Sequence, residues 1–397
     1  MKIAIVSFYL MESTIPLAKY LSLSGNQIDL YSLLPYGDQN TFVYNFLGNP
    51  QRNGFVDART ARTAIGENLN SYLLGLKLKI FIYPDRWFQK LFLEDFIYAY
   101  KLAKYVKKKK YDMIHIIHFS KRFWLFFYLF LPKKKIIQTL HEVTSHEEKT
   151  SFLDASRLKW LIKNSTPIIF HSNISKMRFL EFRKTVTTKK IIENNLTMIR
   201  FGLFETYQCF SNQASKPKPN GKINILNFGR IVPSKGIHFL IEAVKILQDQ
   251  YPINLIIAGN GTPYFEFDNV KNYEFINRFI SNEEIVSLIE SCDMVVLPYT
   301  SASQSGVPMT VYNFNKPIIA SDIAGFKEVI DNLNTGILVE DTNALSLASA
   351  IEILLSNTEL RNKMSNNIKN KYSEGEFSWP FIADKTLSFY QTHQVNN

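Results

Sequence analysis

Residues 227–240 read NFGRIVPSKGIHFL, and this segment decides how the C-terminal half of the chain folds. The apolar run Ile223–Phe228 predicts a β-strand, and the apolar spacing after Gly236 predicts the start of a helix. The turn between them carries two cations, Arg230 and Lys235, five residues apart. Cations held at the carboxyl end of a strand, beside the N–H groups of a helix, suit a diphosphate. Taken alone, however, the segment favours an ordinary strand-to-helix loop with two solvated charges.

The segments around this turn alternate between strand and helix patterns in both halves of the chain. Such alternation implies parallel sheets covered by helices on both faces, with ligands at the carboxyl ends of the strands. The stretch SNQASKPKPNG at 211–221 is typical of a linker, whereas residues 36–75 are polar and irregular and no order is predicted there. The predicted strands are Lys2–Phe8, Ile28–Leu33, Met113–His118, Lys135–Leu140, Pro167–Ser172, Leu196–Phe201, Ile223–Phe228, Ile253–Ala258, Tyr273–Asn277, Met294–Leu297, Pro317–Ala320 and Gly336–Val339, and the predicted helices include Ile15–Leu23, Ile237–Leu247 and Glu283–Ser291.

Length and composition restrict the class of protein. With 397 residues the chain is too long for one compact core, so two domains are expected. The two cysteines, Cys209 and Cys292, exclude a disulfide scaffold and fit a reducing cytoplasm. The first apolar run lacks a small-residue cleavage site, so a strand and a helix are expected there rather than a signal peptide. No apolar run is long enough to span a bilayer, and the most aromatic one, Phe123–Leu131, is flanked by lysines.

Charge is divided unevenly along the chain. Residues 1–210 hold 31 Lys and Arg against 16 Asp and Glu, and the remaining 187 residues hold 15 against 19. Cations mixed with aromatic residues on amphipathic segments are attracted to an anionic membrane surface. The alternative is that most of these aromatic residues belong to the hydrophobic core and that the lysines lie on the solvent-exposed face. Binding to nucleic acid is disfavoured, because no recognisable nucleic-acid-binding module accompanies the charge. The cations are Lys101, Lys104, Lys107–Lys110, Lys121, Arg122 and Lys133–Lys135, and the aromatics are Phe81, Tyr83, Trp87, Phe88, Phe92, Phe96, Tyr98, Tyr100, Phe123, Trp124, Phe126, Phe127, Tyr128 and Phe130.

The C-terminal half contains several further motifs in a fixed order. NFGRIVPSKGIHFLIEAVKIL is followed by LIIAGNG, by LPYTSASQSGVPMTVYNFNKPIIASDIAGFKEVI and by TGILV. Together these motifs resemble the nucleotide-sugar-binding half of the retaining glycosyltransferases of family 4, which have the GT-B architecture. The likeness runs from about Ile223 through the terminal FSWPFIADKTLSFY. The N-terminal half is similar more loosely, through DMIHIIH, IIQTLHEV, PIIFHSN and MIRFGLFETY.

The resemblance implies an α/β fold of two Rossmann-like domains whose parallel sheets face each other across a cleft. The acceptor-binding domain would span residues 1–210 and the nucleotide-sugar-binding domain 211–378, while residues 379–397 would form a helix that crosses back to the first domain. The implied reaction retains the anomeric configuration without an obvious enzyme nucleophile, because the acceptor hydroxyl can lose its proton to the leaving phosphate. The implied ligands are a nucleotide-diphosphate sugar and a glycan acceptor, and no metal is expected.

The donor site has candidates at three strand ends. Arg230 can clamp two phosphate oxygens and Lys235 supplies a compact charge, so both would stabilise the charge that develops on the diphosphate. The string SGVP at 305–308 opens a further helix, whose free N–H groups would face the same diphosphate. The residues assigned to the site on these grounds are Gly229, Arg230, Lys235, Gly259, Ser305, Gly306 and Val307.

One motif departs from the family pattern. Many members carry two glutamates eight positions apart, and those positions hold Ala302 and Thr310 in this chain. The segment Ser303-Gln304-Ser305-Gly306 instead resembles a variant branch of the family. Gln304 and Thr310 both have donor and acceptor atoms, so we expect neutral hydrogen bonds to the donor in place of the glutamates. The first loop, SFYLMEST, also lacks the glycines that relatives often have there.

Four further positions are candidates by likeness or by place. His141 ends the strand IIQTL and matches a family position that faces the donor sugar, so we expect it to act there. Glu328 in AGFKEV matches an acidic position near the donor, although capping of its own helix is an equal alternative. Arg278 and Phe279 follow a predicted strand and are expected beside the base. The string HEVTSH at 141–146 resembles a metal-ligand spacing, but it is not H-E-x-x-H and no metal site is predicted.

The sequence therefore predicts a cytoplasmic glycosyltransferase bound peripherally to the inner face of the cell membrane. It would transfer a hexose from a nucleotide-diphosphate sugar to a growing glycan in surface-polysaccharide biosynthesis. The acceptor would be lipid-linked or an oligosaccharide. Two alternatives remain open. A GT-B-type sugar-nucleotide epimerase would use the same diphosphate site, and a donor-binding or scaffold subunit without activity would explain the missing glutamates.

Overall fold

The chain forms two compact units. The computed structural model describes residues 1–8, 10–35, 53–73, 75–83, 92–118, 123–141, 143, 152–188, 193–211, 221–301 and 305–394. The first unit combines Met1–Gly202 with Ser378–Asn397, and the second unit is Leu203–Phe377. Each unit has its own sheet and its own apolar core. The predicted class, two α/β domains with largely parallel sheets, is confirmed.

The first unit is built on a mixed sheet that is parallel except at one edge. Within the described ranges its strands are β1 (Lys2–Phe8), β2 (Gln27–Pro35), β3 (Gly54–Phe55), β4 (Lys77–Tyr83), β5 (Met113–His118), β6 (Ile136–Leu140), β7 (Ile168–Phe170) and β8 (Leu196–Met198). They lie in the order β3-β4-β2-β1-β5-β6-β7-β8, and β3 pairs antiparallel with β4. The helices are α1 (Met11–Leu23), α2 (Ala58–Ile65), α3 (Glu67–Tyr72), α4 (Phe92–Lys108), α5 (Phe123–Phe130), α6 (Phe152–Lys163) and α7 (Asn173–Val186).

The sequence missed four elements of this unit, β3, β4, α2 and α3. β4 reads KLKIFIY, and the lysines in its first half hide a strand whose last four residues are buried. It lies beside β2, where Lys79 forms an ion pair of 3.0 Å with the buried Asp29. α2 begins at Asp57, whose carboxylate accepts the N–H groups of Arg59 and Thr60, as N-cap residues do. The irregular composition between residues 53 and 73 therefore conceals two short helices, of which α2 has a side-chain N-cap and α3 has none.

Five of the aromatic residues noted in the sequence lie in the core of this unit. Phe81, Tyr83, Phe123, Phe127 and Tyr128 are each at most 1% exposed. Their burial confirms the core alternative for these five positions, whereas Phe96 and Tyr100 stay exposed. The residues Trp87, Phe88, Lys121 and Arg122, and the side chains of Phe92 and Trp124, lie outside the described part of the chain.

The second unit has an all-parallel sheet in the described ranges. Its strands are β9 (Ile223–Phe228), β10 (Ile253–Gly259), β11 (Tyr273–Asn277), β12 (Met294–Leu297), β13 (Ile318–Ser321) and β14 (Gly336–Val339), in the order β11-β10-β9-β12-β13-β14. The helices are α8 (Ile237–Leu247), α9 (Asn282–Ser291), α10 (Val307–Tyr312), α11 (Ala324–Lys327), α12 (Ala344–Ser356) and α13 (Thr358–Ser373). The predicted strands of this half are confirmed to within a residue. Most of them are apolar runs bounded by polar residues, Gly or Pro, whereas β11 (YEFIN) contains polar residues and is at most half-buried.

Helix α14 (Trp379–Thr392) lies in the first unit although it ends the chain. It contacts α1 and buries Trp379, Ile382, Phe389 and Tyr390. The Tyr390 hydroxyl is 2.6 Å from Nδ1 of the buried His115 on β5. Apolar burial and hydrogen bonds such as that between Tyr390 and His115 therefore hold the last helix to the first unit.

Residues 203–210 cluster with the second unit rather than with the first. The N–H of Phe204 donates to the Met309 carbonyl oxygen at 3.3 Å, and the Phe204 ring fills the space beside Gly306. The chain therefore enters the second unit at Leu203, before the predicted linker at 211–221. Residues 212–220 of the linker lie outside the described ranges. None of the described helices is long and apolar enough to cross a membrane.

Candidate functional site

The candidate site lies at the carboxyl ends of β9 and β12. These strands are neighbours, and the chain continues from β9 toward β10 on one side and from β12 toward β13 on the other. Open α/β sheets bind ligands at such a switch point, where the loops on its two sides leave a crevice. Gly229 and Arg230 follow β9, and Pro298 and Tyr299 follow β12. The residues that the sequence singled out first are therefore at the position that this topology favours.

Two glycines let the loops of this crevice approach each other closely. Gly236 has a φ of 60°, and a Cβ there would be 1.9 Å from the Pro298 carbonyl oxygen. A Cβ on Gly259, at the end of β10, would be 1.7 Å from the Gly229 carbonyl oxygen. The Thr300 N–H also donates to the Ser234 carbonyl oxygen at 2.9 Å. The cation-bearing turn is therefore fixed against the neighbouring strand ends rather than free in solvent.

Lys235 occupies an unusual electrostatic position. Its Nζ lies 3.5 Å from the centroid of the Tyr299 ring, and the side chain is half-buried. Burial, together with the charge of the nearby Arg230, lowers the pKa of Lys235 to about 8. In the described part of the chain, neither cation forms an ion pair with an acidic side chain. Two neighbouring positive charges without an acidic partner form a site that an anion would stabilise.

The helix N-termini differ from the expectation. The first N–H of α8, that of Ile237, donates to the Tyr264 hydroxyl at 2.9 Å and does not face a ligand. At α10 the N–H of Val307 donates to Ser305 Oγ at 3.3 Å. Side chains already accept these two N–H groups, so neither of them is free, and the part expected of the other N–H groups of α10 in binding a diphosphate stays a prediction. Arg230 and Lys235 supply positive side-chain charge at these strand ends.

Thr310 lies within the described part of the chain, whereas Ser303 and Gln304 of the glutamine motif do not. Thr310 is 4% exposed, and its hydroxyl donates to the Gly306 carbonyl oxygen at 3.3 Å within α10. A hydroxyl that bonds its own helix in this way has fewer hydrogen bonds left for a ligand. Ala302, Ser303 and Gln304 lie outside the described residues, so the role assigned to Gln304 stays a prediction.

Arg278 is held by a neighbouring helix. Its guanidinium binds both carboxylate oxygens of Glu284, which also closes the capping box of α9 with Ser281. Phe279 is 64% exposed beside it. The half-buried Glu328 follows the last residue of α11 and is not at the start of that helix. All three lie in the second unit, and their assignment to the donor site stays a prediction.

His141 belongs to the first unit, where it follows β6. The ring is 9% exposed and stacks on Phe201 with centroids 5.2 Å apart, while His171 lies 4.8 Å away. Its backbone carbonyl oxygen accepts a hydrogen bond of 2.7 Å from Ser175 Oγ. Burial lowers the pKa of His171 to about 4, so this neighbour is neutral near pH 7. His141 is thus well fixed in an aromatic cluster, and its role toward a donor sugar stays a prediction.

Several structural neighbours of the site were not singled out from the sequence. The Tyr299 ring contacts the Lys235 ammonium group, and the Tyr264 hydroxyl accepts the first N–H of α8. The Phe204 ring packs against Gly306. Only Tyr299 carries a sequence signal, since it follows the strand Met294–Leu297 where a ligand loop is expected. Among the residues that can be described, no three His, Cys, Asp or Glu side chains are grouped as a metal site would require. Glu142 and His146 are not among them.

Comparison with known proteins places a family domain over this site. Residues 210–371 match the family of glycosyl transferases group 1. The putative glycosyltransferase YtcC of Bacillus subtilis (strain 168) is 24% identical over 319 residues, which cover 74% of this chain and 76% of YtcC. The capsular polysaccharide biosynthesis glycosyltransferase CapM of Staphylococcus aureus is 26% identical over 224 residues, 53% of this chain and 58% of CapM. The chain therefore has a glycosyl transferases group 1 domain and glycosyltransferase relatives.

Solved structures with the same fold extend over both units. A glycosyltransferase from Rickettsia africae ESF-5 superimposes with a TM-score of 0.70 at 18% identity, covering 100% of this chain and 99% of its own. Anabaena Alr3699/HepE in complex with UDP and glucose gives 0.66 at 16% identity, covering 99% and 100%. At such identities the likeness establishes the fold alone, which is that of the GT-B proteins.

Proposed function

We propose that this chain, whose residues 210–371 match the glycosyl transferases group 1 family, is a retaining glycosyltransferase with a nucleotide-diphosphate sugar as donor. The observation that carries the proposal is the pair Arg230 and Lys235 at the switch point of the second sheet, without an acidic partner in the described residues. A diphosphate brings two negative charges to this pair. It would bind most strongly as the sugar leaves, when its charge is largest.

The reaction follows from the same charges. The bond between the anomeric carbon and the diphosphate oxygen breaks, and Arg230 and Lys235 stabilise the charge that develops on that oxygen. The acceptor hydroxyl oxygen bonds to the anomeric carbon on the same face and passes its proton to the leaving diphosphate. This route gives retention and needs no carboxylate base, which suits the loss of acidic residues at 302 and 310. We assign no cofactor or metal to the step.

The donor and the acceptor are proposed from chemistry and from relatives. HepE, which shares the fold, holds UDP and glucose, and this supports a hexose on a nucleoside diphosphate. CapM acts in capsular polysaccharide biosynthesis, and this supports a growing surface glycan as acceptor. A lipid-linked acceptor would place the protein peripherally on the inner face of the cell membrane. His141, Gln304, Thr310 and Glu328 are proposed to contact the donor, and Arg278 and Phe279 to lie beside its base.

Ligand stabilisation followed by turnover tests the proposal. The purified protein is heated with UDP, GDP and ADP, because a ligand bound only by the folded state raises the unfolding midpoint. The stabilising nucleotide is then supplied as its sugar, with membrane extract as the source of acceptor. Transfer to a lipid fraction supports the proposal. Isomerised free donor would identify an epimerase instead, and binding without turnover would identify an inactive donor-binding subunit.

A further inference from the structure

Exposed apolar side chains are concentrated on one helix pair of the first unit. On α4, Phe96 is 41% exposed, Ile97 39% and Tyr100 45%, and on α5 Leu129 is 57% exposed. Single exposed apolar residues need no explanation, whereas a contiguous group on a stable surface does. The opposite side of α4 buries Ala99, Leu102, Ala103 and Val106. Their burial shows that α4 is firmly packed, so the exposed group is not the result of a loosely attached helix.

Two of the exposed residues, Phe96 and Tyr100, form a cluster with two partly buried rings of α5. The Phe96 ring lies 5.2 Å from Phe130 and 5.4 Å from Phe126, and the Tyr100 ring lies 5.2 Å from Phe130. All three contacts are edge-to-face, the geometry that aromatic pairs prefer. These ring contacts hold Phe96 and Tyr100 in place at the surface, so both rings can be buried together in an apolar environment without rearrangement.

Lysines continue the same stripe of α4 toward its C-terminus. Lys101, Lys104, Lys107 and Lys108 are exposed and follow Ile97 and Tyr100 at intervals of three or four residues. Lys104 Nζ lies 5.9 Å from the Tyr100 ring centroid. The acidic residues of α4, Glu94 and Asp95, are confined to its first turn. One surface stripe thus changes from aromatic to basic along the helix.

We propose that this stripe of α4, formed by Phe96, Ile97 and Tyr100 with Lys101, Lys104, Lys107 and Lys108, docks the protein on an anionic lipid surface. The rings enter the boundary between headgroups and acyl chains, and the lysines contact lipid phosphates. The proposal rests on the proposed function, which places the acceptor on a lipid. Lipid is favoured over a protein partner because lysine is depleted in protein interfaces but enriched beside aromatic residues on membrane-surface helices.

The two halves of the stripe have separable effects. Attraction between lysines and lipid headgroups is screened by salt, with a Debye length of about 10 Å at 0.1 M. Insertion of the rings is a hydrophobic term that salt does not screen. Binding by both halves is therefore strongest at low salt and falls to a finite level at high salt. Binding by lysines alone would fall to zero.

The test uses the full chain and vesicles of phosphatidylcholine with about a third phosphatidylglycerol, an anionic surface of the kind that attracts polybasic segments. Bound protein is measured by co-sedimentation across a salt series. The double substitution Phe96→Ser with Tyr100→Ser should lower partitioning by roughly tenfold at every salt concentration. Exchange of the four lysines for glutamine should lower it at low salt only. The matched control is Leu345→Ser with Ile353→Ser, two exposed residues of α12 in the second unit, and it should bind like the unmodified chain.

A second readout does not depend on the serine variants folding. Phe96→Trp keeps the ring, and its emission should be quenched by lipids brominated near the headgroup end, whereas Ile353→Trp should not be. Unchanged sedimentation of a folded double-serine variant, or an unquenched Trp at 96, would overturn the proposal. Failure of the unmodified chain to bind vesicles would also overturn it and leave a protein partner for this surface. Thermal stabilisation by nucleotide is measured on the same samples, so failure of the proposed function is recognised separately.

Discussion

The charged form of Lys235 is disfavoured in the free protein, and a bound anion would stabilise it. Half-burial and the neighbouring Arg230 both disfavour its charged form, and the Tyr299 ring offsets only part of this through a cation–π contact. Surface lysines elsewhere in the second unit differ, since Lys271 and Lys327 each have an aspartate partner. Unlike these two ion-paired lysines, Arg230 and Lys235 have no acidic partner in the described residues, which favours a binding role for them.

Loss of either cation should mainly affect the charged leaving group. We expect Arg230→Ala and Lys235→Ala each to lower transfer by on the order of 10² or more, as removal of one preorganised donor does. Nucleoside-diphosphate binding should weaken, with little change in the unfolding midpoint. The control is Lys271→Ala, which removes an exposed ion pair and should leave the rate unchanged. Full activity in either purified site variant would remove the basis of the assignment.

The lowered pKa of Lys235 makes donor binding depend on pH. In the free protein Lys235 is charged below about 8 and neutral above it, and a bound diphosphate raises its pKa. Affinity for the nucleotide-sugar should therefore be constant below about pH 8 and fall as the pH rises above it, because binding then requires proton uptake. Titration calorimetry in two buffers of different ionisation enthalpy measures that uptake. Lys235→Arg should abolish the dependence, and a flat affinity between about pH 7 and 9 in the unmodified protein would refute it.

The sequence predicts the strands of the second unit better than the strands and helices of the first unit. Strands such as β9 are apolar runs between polar residues or glycines, and this local signal is sufficient. β4 was missed because its pairing with β2, rather than its own composition, makes it a strand. The cap of α8 by Tyr264 and the contact of Phe204 with Gly306 were missed because each joins residues far apart in the chain. The positions of Arg230 and Lys235 after a buried strand were predictable from the sequence, whereas the hydrogen bonds around them were not, and their role at a donor site stays a prediction.

The turn between β9 and α8 depends on Gly236 for two separate reasons. Its φ of 60° is unfavourable for other residues, and a Cβ would collide with the Pro298 carbonyl oxygen at 1.9 Å. Gly221→Ala is the matched control, because Gly221 has a φ of 72° and nothing within 4 Å of its Cβ position. We expect the control to lower the free energy of unfolding by about 1 kcal/mol. Gly236→Ala should lower it by more than about 3 kcal/mol. Equal effects in urea denaturation would mean that strain alone, and not close loop packing, requires glycine there.

The chain forms two cores, and the backbone passes between their units twice, after Gly202 and after Phe377. The first unit contains both termini, because α14 returns to it after the second unit is complete. Separate cores allow separate local stabilities, which hydrogen exchange can resolve. A ligand whose charged contacts lie in one unit should stabilise that unit first.

One hydroxyl in each unit provides a matched test of this independence. Tyr390 is hydrogen-bonded to His115 in the first unit, and Tyr372 donates to the Val329 carbonyl oxygen in the second unit at 2.8 Å. Both tyrosines are buried, and removal of either hydroxyl leaves a buried polar partner with one bond fewer, at about 1–2 kcal/mol. Tyr390→Phe should therefore speed amide exchange in β5 and α1 but not in β9 and α8, and Tyr372→Phe should do the reverse. Nucleotide should protect β9 and α8 in both variants. Exchange that rises uniformly through the chain in either variant would show instead that the two cores unfold as one.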